Sequence, residues 1–234
     1  VCGLSFQLNV SDGNKVGIIK EIQDSLVIAQ EKREETDFFD NGHGIRKWGY
    51  IYKNLSEAEM EELLPFNTRR QGWKLSFRFD PLNKTLFCLL SKNNLETKQK
   101  QKSDVMHYVS AISEVVNVNF EDKLSDEQKQ EIQLALALEL DNEQAKKIYQ
   151  EMLGDINFEI EQFCVLSLDI VNYELTGVTA NILNGNFEIL YNEDWSAHIK
   201  VSSMDDNDSE KRAQESQQHD MNVKVKVKSK KEKG

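Results

Sequence analysis

Apolar side chains recur along this chain with two different periods, and the switches between them mark out its elements. Leu4, Phe6, Leu8 and Val10 alternate with polar residues, which predicts a short strand, and Asp12-Gly13-Asn14 predicts a turn. From Lys15 to Arg33 the period changes: Ile19, Ile22, Leu26 and Ala29 recur at three- and four-residue spacing, with charges on the other face, so an amphipathic helix is expected. The stretch Glu34 to Gly49 is acidic and then punctuated by Gly42, Gly44 and Gly49, which predicts a surface loop. Ser56 and Glu59 have capping-box spacing and predict a short helix to Leu64, stopped by Pro65. The cleanest strand signal follows, with Trp73, Leu75, Phe77 and Phe79 alternating with Lys74, Ser76 and Arg78. Turn chemistry at Asp80-Pro81-Leu82-Asn83-Lys84 and a return strand from Thr85 to Leu90 complete a hairpin with one face buried.

Asn93 to Ser103 is polar and lysine-rich, the composition of a loop or hinge, and Asp104 to Val116 carries a helical stripe (Val105, Tyr108, Val109, Ile112, Val116). A second capping box at Ser125 opens a helix through Leu140. Asp141 with Gln144 starts another, which Gly154 stops after Leu153. From Asn157 to Glu174 the chain is β-rich, and the runs Val178–Leu183 and Phe187–Tyr191 flank Asn184-Gly185, a tight-hairpin signal because both central residues would need positive φ. A three-stranded antiparallel meander ending near Trp195 is expected. The order of elements gives an α+β protein, antiparallel strands packed against a helical layer, with a folded region over residues 1–202 and candidate seams near residues 93–125. Ser203 to Asp220 is acidic and polar with almost nothing to bury, and Met221 to Gly234 alternates Val with Lys before a lysine cluster, so residues 203–234 are expected to form a disordered charged tail.

Charge narrows the function classes. The chain has 29 Lys+Arg against 40 Asp+Glu, a net charge of −11, and only 39% hydrophobic residues. Its last 32 residues hold 8 basic and 7 acidic groups, so the remainder is acidic and on average repels nucleic acid and anionic lipid. A nucleic-acid partner would need a local basic patch acting against that field. The three cysteines (Cys2, Cys88, Cys164) are scattered, which argues for reduced structural thiols rather than a disulfide framework or a zinc site. With no membrane-length apolar run and no basic-then-apolar leader pattern, a cytoplasmic location without membrane contact is expected. Abundant Lys, Asn and Ile with 2 prolines suit an AT-rich bacterial genome.

One patch stands out. Arg46, Lys47, Trp48, Tyr50, Tyr52 and Lys53 interleave cations with aromatics, as do Arg69, Arg70, Trp73, Lys74 and Arg78. Side by side, the two segments would pair phosphates and stack unpaired bases on Trp48, Tyr50 or Tyr52; as ordinary strands, they would bury the aromatics and leave the cations solvated. His43, between two glycines and just after Asp37 and Asp40, is the weak candidate for a general base. Asp104 with His107, three apart on the expected helix, is too poor in further ligands for a metal site, and a solvent-facing pair is the expectation. Glu57, Glu59, Glu61 and Glu62 form a charge run, and Asp169 and Glu174 would face opposite sides of an uninterrupted strand. No metal and no cofactor are expected. Ile132 to Leu138 is apolar nearly all round, fit for a central helix or for a face shown to a partner. The leading expectation is a non-enzymatic interaction protein acting through a protein partner or self-association. The alternative is a nucleic-acid-binding protein, in one version a nuclease, using segments 45–53 and 69–78.

Overall fold

The computed structural model describes residues 6–35, 42–100, 105–118, 120 and 142–200. By backbone contacts the chain divides into residues 1–199 and 200–234. The expected tail and the expected helix from Ser125 to Leu140 lie outside the described residues.

Six strands form one mixed sheet in sequential order: β1 (Leu64–Arg70), β2 (Trp73–Asp80), β3 (Thr85–Ser91), β4 (Gln162–Val171), β5 (Glu174–Leu183) and β6 (Ile189–Asp194). Two three-stranded antiparallel meanders meet at a parallel pairing of β3 with β4. A parallel pair needs a long crossover. Here it contains the helices α3 (Lys92–Lys100), α4 (Tyr108–Val116) and α5 (Asn142–Leu153). Two earlier helices, α1 (Asp12–Glu34) and α2 (His43–Glu57), pack on each other and cover the opposite face.

The chain is therefore α+β with helices on both faces, and the two cores follow strand parity. Phe87, Leu89, Cys164, Leu166, Val178 and Ala180 meet α1 and α2. Leu86, Cys88, Leu90, Phe163 and Val165 meet α3, α4 and α5, together with Leu75, Phe77 and Phe79. The expected one-sided hairpin is thus covered on both sides, which explains why the return strand reads Thr-Leu-Phe-Cys-Leu-Leu without alternation. Burial pushes the thiols of Cys88 and Cys164 well above the ordinary range.

Several local expectations are corrected. Residues 6–11 form no ladder, although Leu8 and Val10 are buried under the helices. Asp12-Gly13-Asn14 is the first turn of α1, capped by the Ser11 hydroxyl, which accepts from the Asn14 amide. The glycine-punctuated stretch is helical from His43. Two interior glycines cost roughly 1 kcal/mol each, and burial of Ile51 and Leu55 beneath Trp48 and Tyr52 offsets them. Ser56 ends this helix rather than capping a new one, and the stretch expected to be helical up to Leu64 instead leads into edge strand β1, where Pro65 is tolerated. Lysine-rich 92–100 is helix α3, not a loop, anchored by buried Leu95. Asn184 does not make a two-residue turn: its side chain accepts from the amides of Asn186 and Glu188, and the positive φ falls on Phe187. Two-residue turns with both φ positive occur instead at Gln71-Gly72 and Asn172-Tyr173.

Asn117 ties the crossover to the sheet. Its amide donates to the carbonyls of Phe163 and Leu183 and accepts from the Phe163 amide, each at 2.9 Å. All three bonds are buried, so Asn117→Ala is expected to cost about 2 kcal/mol in urea unfolding. An unchanged midpoint would show that water replaces the side chain.

Candidate functional site

Pairing between β2 and β3 lasts only from Asp80–Thr85 to Arg78–Phe87, although β2 extends back to Trp73 and β3 on to Ser91. The sheet therefore splits into a wedge, with β2 held by β1 on one side and β3 by β4 on the other. Tyr52, from α2, packs against both cores, and its hydroxyl lies 3.5 Å from the Leu89 carbonyl. Tyr108, at the start of α4, lies beside it in the same wall. Burial pushes both phenols up, so they are neutral fillers of the gap.

The wedge opens into a pocket of about 430 Å³ walled by Trp48, Tyr52, Trp73, His107 and Tyr108, with Arg70, Gln71, Asn94 and Lys98 among its polar lining. Trp73 is 52% exposed at the hairpin tip and Val105 63% exposed at the mouth. His107 caps α4: its Nδ1 accepts from the Val109 amide at 3.2 Å, which leaves the proton of the neutral ring on Nε2. Burial, with Lys98 nearby, holds the imidazole pKa down to about 4. The ring is half-buried between Tyr108 and Phe187 rather than facing solvent. Its expected partner Asp104 lies outside the described residues.

On the α2 side of β1 and β2 lies a second, polar pocket. Strand register puts Asn67 opposite Ser76 and Arg69 opposite Lys74, all four on the face toward Lys53 and Ser56 of α2. Ser76 is 3% exposed, and its hydroxyl has no hydrogen-bond partner. The two pockets share Tyr52 and Leu75 as wall residues, so they adjoin each other.

The two basic–aromatic segments do come together, but not as one patch. Strand alternation sends Arg69 and Lys74 to one face and Arg70 and Trp73 to the other, where Arg70 is paired with Glu151 of α5. Arg78 belongs to the fold: the residue is 2% exposed, and its guanidinium donates to the carbonyls of Leu55 and Ala58 at the end of α2 and of Leu63 beyond it. Helical rotation separates Arg46, Lys47 and Tyr50 toward the end of α1, where Lys47 lies 5.7 Å over the Tyr173 ring and burial lowers its pKa. Trp48, Tyr52 and Lys53 face the wedge and the polar pocket. His43 opens α2, while its side chain, Asp37 and Asp40 lie outside the described residues.

Sequence reasoning did not find Ser76, Asn94, Lys98 or His107 as parts of this site. The Gln71-Gly72 turn was the one local signal that could have placed the hairpin tip there. Of the acidic residues considered, Glu62 accepts from Ser11 and Asn14 and anchors α1, and Asp169 pairs with Lys92. Among the described residues no group of three or more His, Cys, Asp or Glu could hold a metal ion. No described helix is long and apolar enough to cross a membrane.

The molecule is thus an α+β protein whose mixed sheet splits and carries a basic–aromatic cleft in the split. Residues 8–234 match a family of unknown function (DUF5986), and the chain belongs to it. No curated protein and no solved structure matches the chain.

Proposed function

We propose that this protein binds a single strand of nucleic acid across the adjoining wedge and polar pocket. The carrying observation is a contrast of charge. About one residue in six of the whole chain is Asp or Glu (40 of 234), yet among the described residues neither pocket is lined by a carboxylate. Cations line both: Lys98 and the Glu151-paired Arg70 in the wedge, and Lys53, Arg69 and Lys74 in the polar pocket. Such a reversal of local sign on an acidic protein favours a polyanion at this place and opposes one elsewhere. Aromatic rings beside the cations favour unpaired bases over a duplex, whose bases are already stacked. We assign no cleavage step to the cleft. The competing idea of a non-enzymatic partner-binding protein rests on the acidic balance of the chain, on the lack of a catalytic constellation in the sequence, and on residues 132–138, which lie outside the described residues.

The test compares the protein with its Lys53→Ala/Lys74→Ala variant for binding of fluorescent single- and double-stranded oligonucleotides across a salt series. The terminal lysines are common to both proteins, so the difference belongs to the cleft. Single strands are expected to bind more tightly than duplexes, and the variant is expected to lose about 1.4 from the slope of log affinity against log salt. Absence of binding at low salt would end the proposal and return attention to protein partners.

A further inference from the structure

The two halves of the cleft differ in chemistry, and the difference sets a register. The wedge is aromatic and apolar, with Trp73 half exposed at its lip and the tilted Trp48–Tyr52 pair, 5.8 Å between ring centroids, in its wall. It is bordered by the stretches of β2 and β3 that have left each other's ladder. The polar pocket is built otherwise. Three cations from three elements, Lys53 on α2, Arg69 on β1 and Lys74 on β2, line it together with hydroxyl and amide side chains. Among these, the hydroxyl of Ser76 is buried and has no partner. A buried hydroxyl left unbonded costs free energy unless a ligand accepts from it, and three cations lining one pocket favour an acceptor that carries negative charge.

Resting on the single-strand reading above, we infer that the cleft holds one nucleotide unit in a fixed register: an unstacked base in the wedge against Trp73, and its neighbouring phosphate on Lys53, Arg69, Lys74 and the Ser76 hydroxyl. Tyr52 and Leu75, common to both pockets, form the saddle between base and phosphate. Base and phosphate are then recognised by separate groups of side chains. A strand lacking bases keeps its hold on the polar pocket and loses the wedge.

The experiment uses the full chain and two short fluorescent strands of equal length, one of mixed sequence and one carrying abasic sugars throughout. Trp73 projects from an exposed hairpin tip, so Trp73→Ala leaves both cores intact. It is expected to weaken the intact strand about tenfold, the size of one lost base–aromatic stack, and to leave the abasic strand unchanged. Lys53→Ala/Lys74→Ala is expected to weaken both strands by the same factor. If Trp73→Ala weakens both strands equally or neither, no base sits in the wedge, and the inference falls while salt-dependent binding stands. It falls in the same way if the lysine variant affects only the intact strand. If the parent protein binds neither strand, the single-strand reading itself fails and takes this inference with it.

Discussion

Arg78→Met is expected to destabilise the protein by about 3 kcal/mol and to weaken strand binding with it. The last carbonyls of a helix have no partner within the helix. In α2 two of them, Leu55 and Ala58, accept from the Arg78 guanidinium, the latter at 2.8 Å, and Leu63 in the following turn accepts at 3.2 Å. A cation at a helix C-terminus also meets the negative end of the helix dipole. Burial pushes the Arg78 pKa down, with Glu21 as the partial counterweight, but guanidinium pKa values start high enough for the charge to survive. Met fills a similar volume without any donor, so three buried or part-buried acceptors lose their bonds, each at a cost of roughly 1–3 kcal/mol that entering water reduces. Arg78→Lys should recover only part of the loss, since one ammonium cannot span three carbonyls in the guanidinium's plane. Urea unfolding with an unchanged m value measures this. A loss under about 1 kcal/mol would mean that α2 is held by its apolar face alone. Because α2 carries Tyr52 and Lys53, a loosened helix end should also reduce oligonucleotide affinity, which Asn117→Ala, far from the cleft in its contacts, should not.

The second large effect is pH-dependent. His107 has an ordinary pKa of 6.5 and is held at about 4 in the folded protein by burial, with Lys98 adding to the effect. Above pH 6.5 the ring is neutral whether the chain is folded or not, and its contribution to stability is complete. As pH falls below 6.5 the unfolded chain takes up a proton that the folded protein refuses. Stability is therefore lost at about 1.4 kcal/mol per unit until about pH 4, roughly 3 kcal/mol in all. Carboxylates dominate the lower end of that range, so the informative interval is pH 7 to 5. There the parent should lose about 2 kcal/mol more than His107→Asn. Asparagine can still cap α4 by accepting from the Val109 amide but has nothing to titrate. Glu114, whose pKa burial raises, contributes equally to both proteins and drops out of the difference. Parallel pH–stability curves would show that the folded ring gains a proton near its ordinary pKa.

How far the sequence could be read depended on the range of the forces involved. The helix over Lys15–Arg33, the hairpin from Trp73 to Leu90 and the end of the last crossover helix at Leu153 were legible because each rests on contacts within a few residues: a repeating apolar stripe, alternation with a turn, a glycine stop. Helix α2 was missed because glycines were weighed above the stripe Trp48–Ile51–Tyr52–Leu55. Helix α3 was missed because a single buried leucine, Leu95, anchors it. The candidate site was half legible. Both segments that meet at the cleft were singled out, yet the arithmetic of 100° per residue in α2 and of alternation in β1 and β2 divides their cations among three surfaces.

The class of fold, the acidic balance of the chain, and the two stretches where cations and aromatics gather were already settled along the chain, since all of these are sums or periodicities of local composition. Three-dimensional packing was needed to bury β3 on both faces, to turn Arg78 toward a helix end, and to part Arg69 from Arg70. It also split the sheet between β2 and β3, bringing Lys98 and His107 to the cleft from elements distant in sequence. Each of these depends on which strand pairs with which and where the pairing stops, and that is settled by non-local packing against two helical layers, not by any residue's neighbours along the chain.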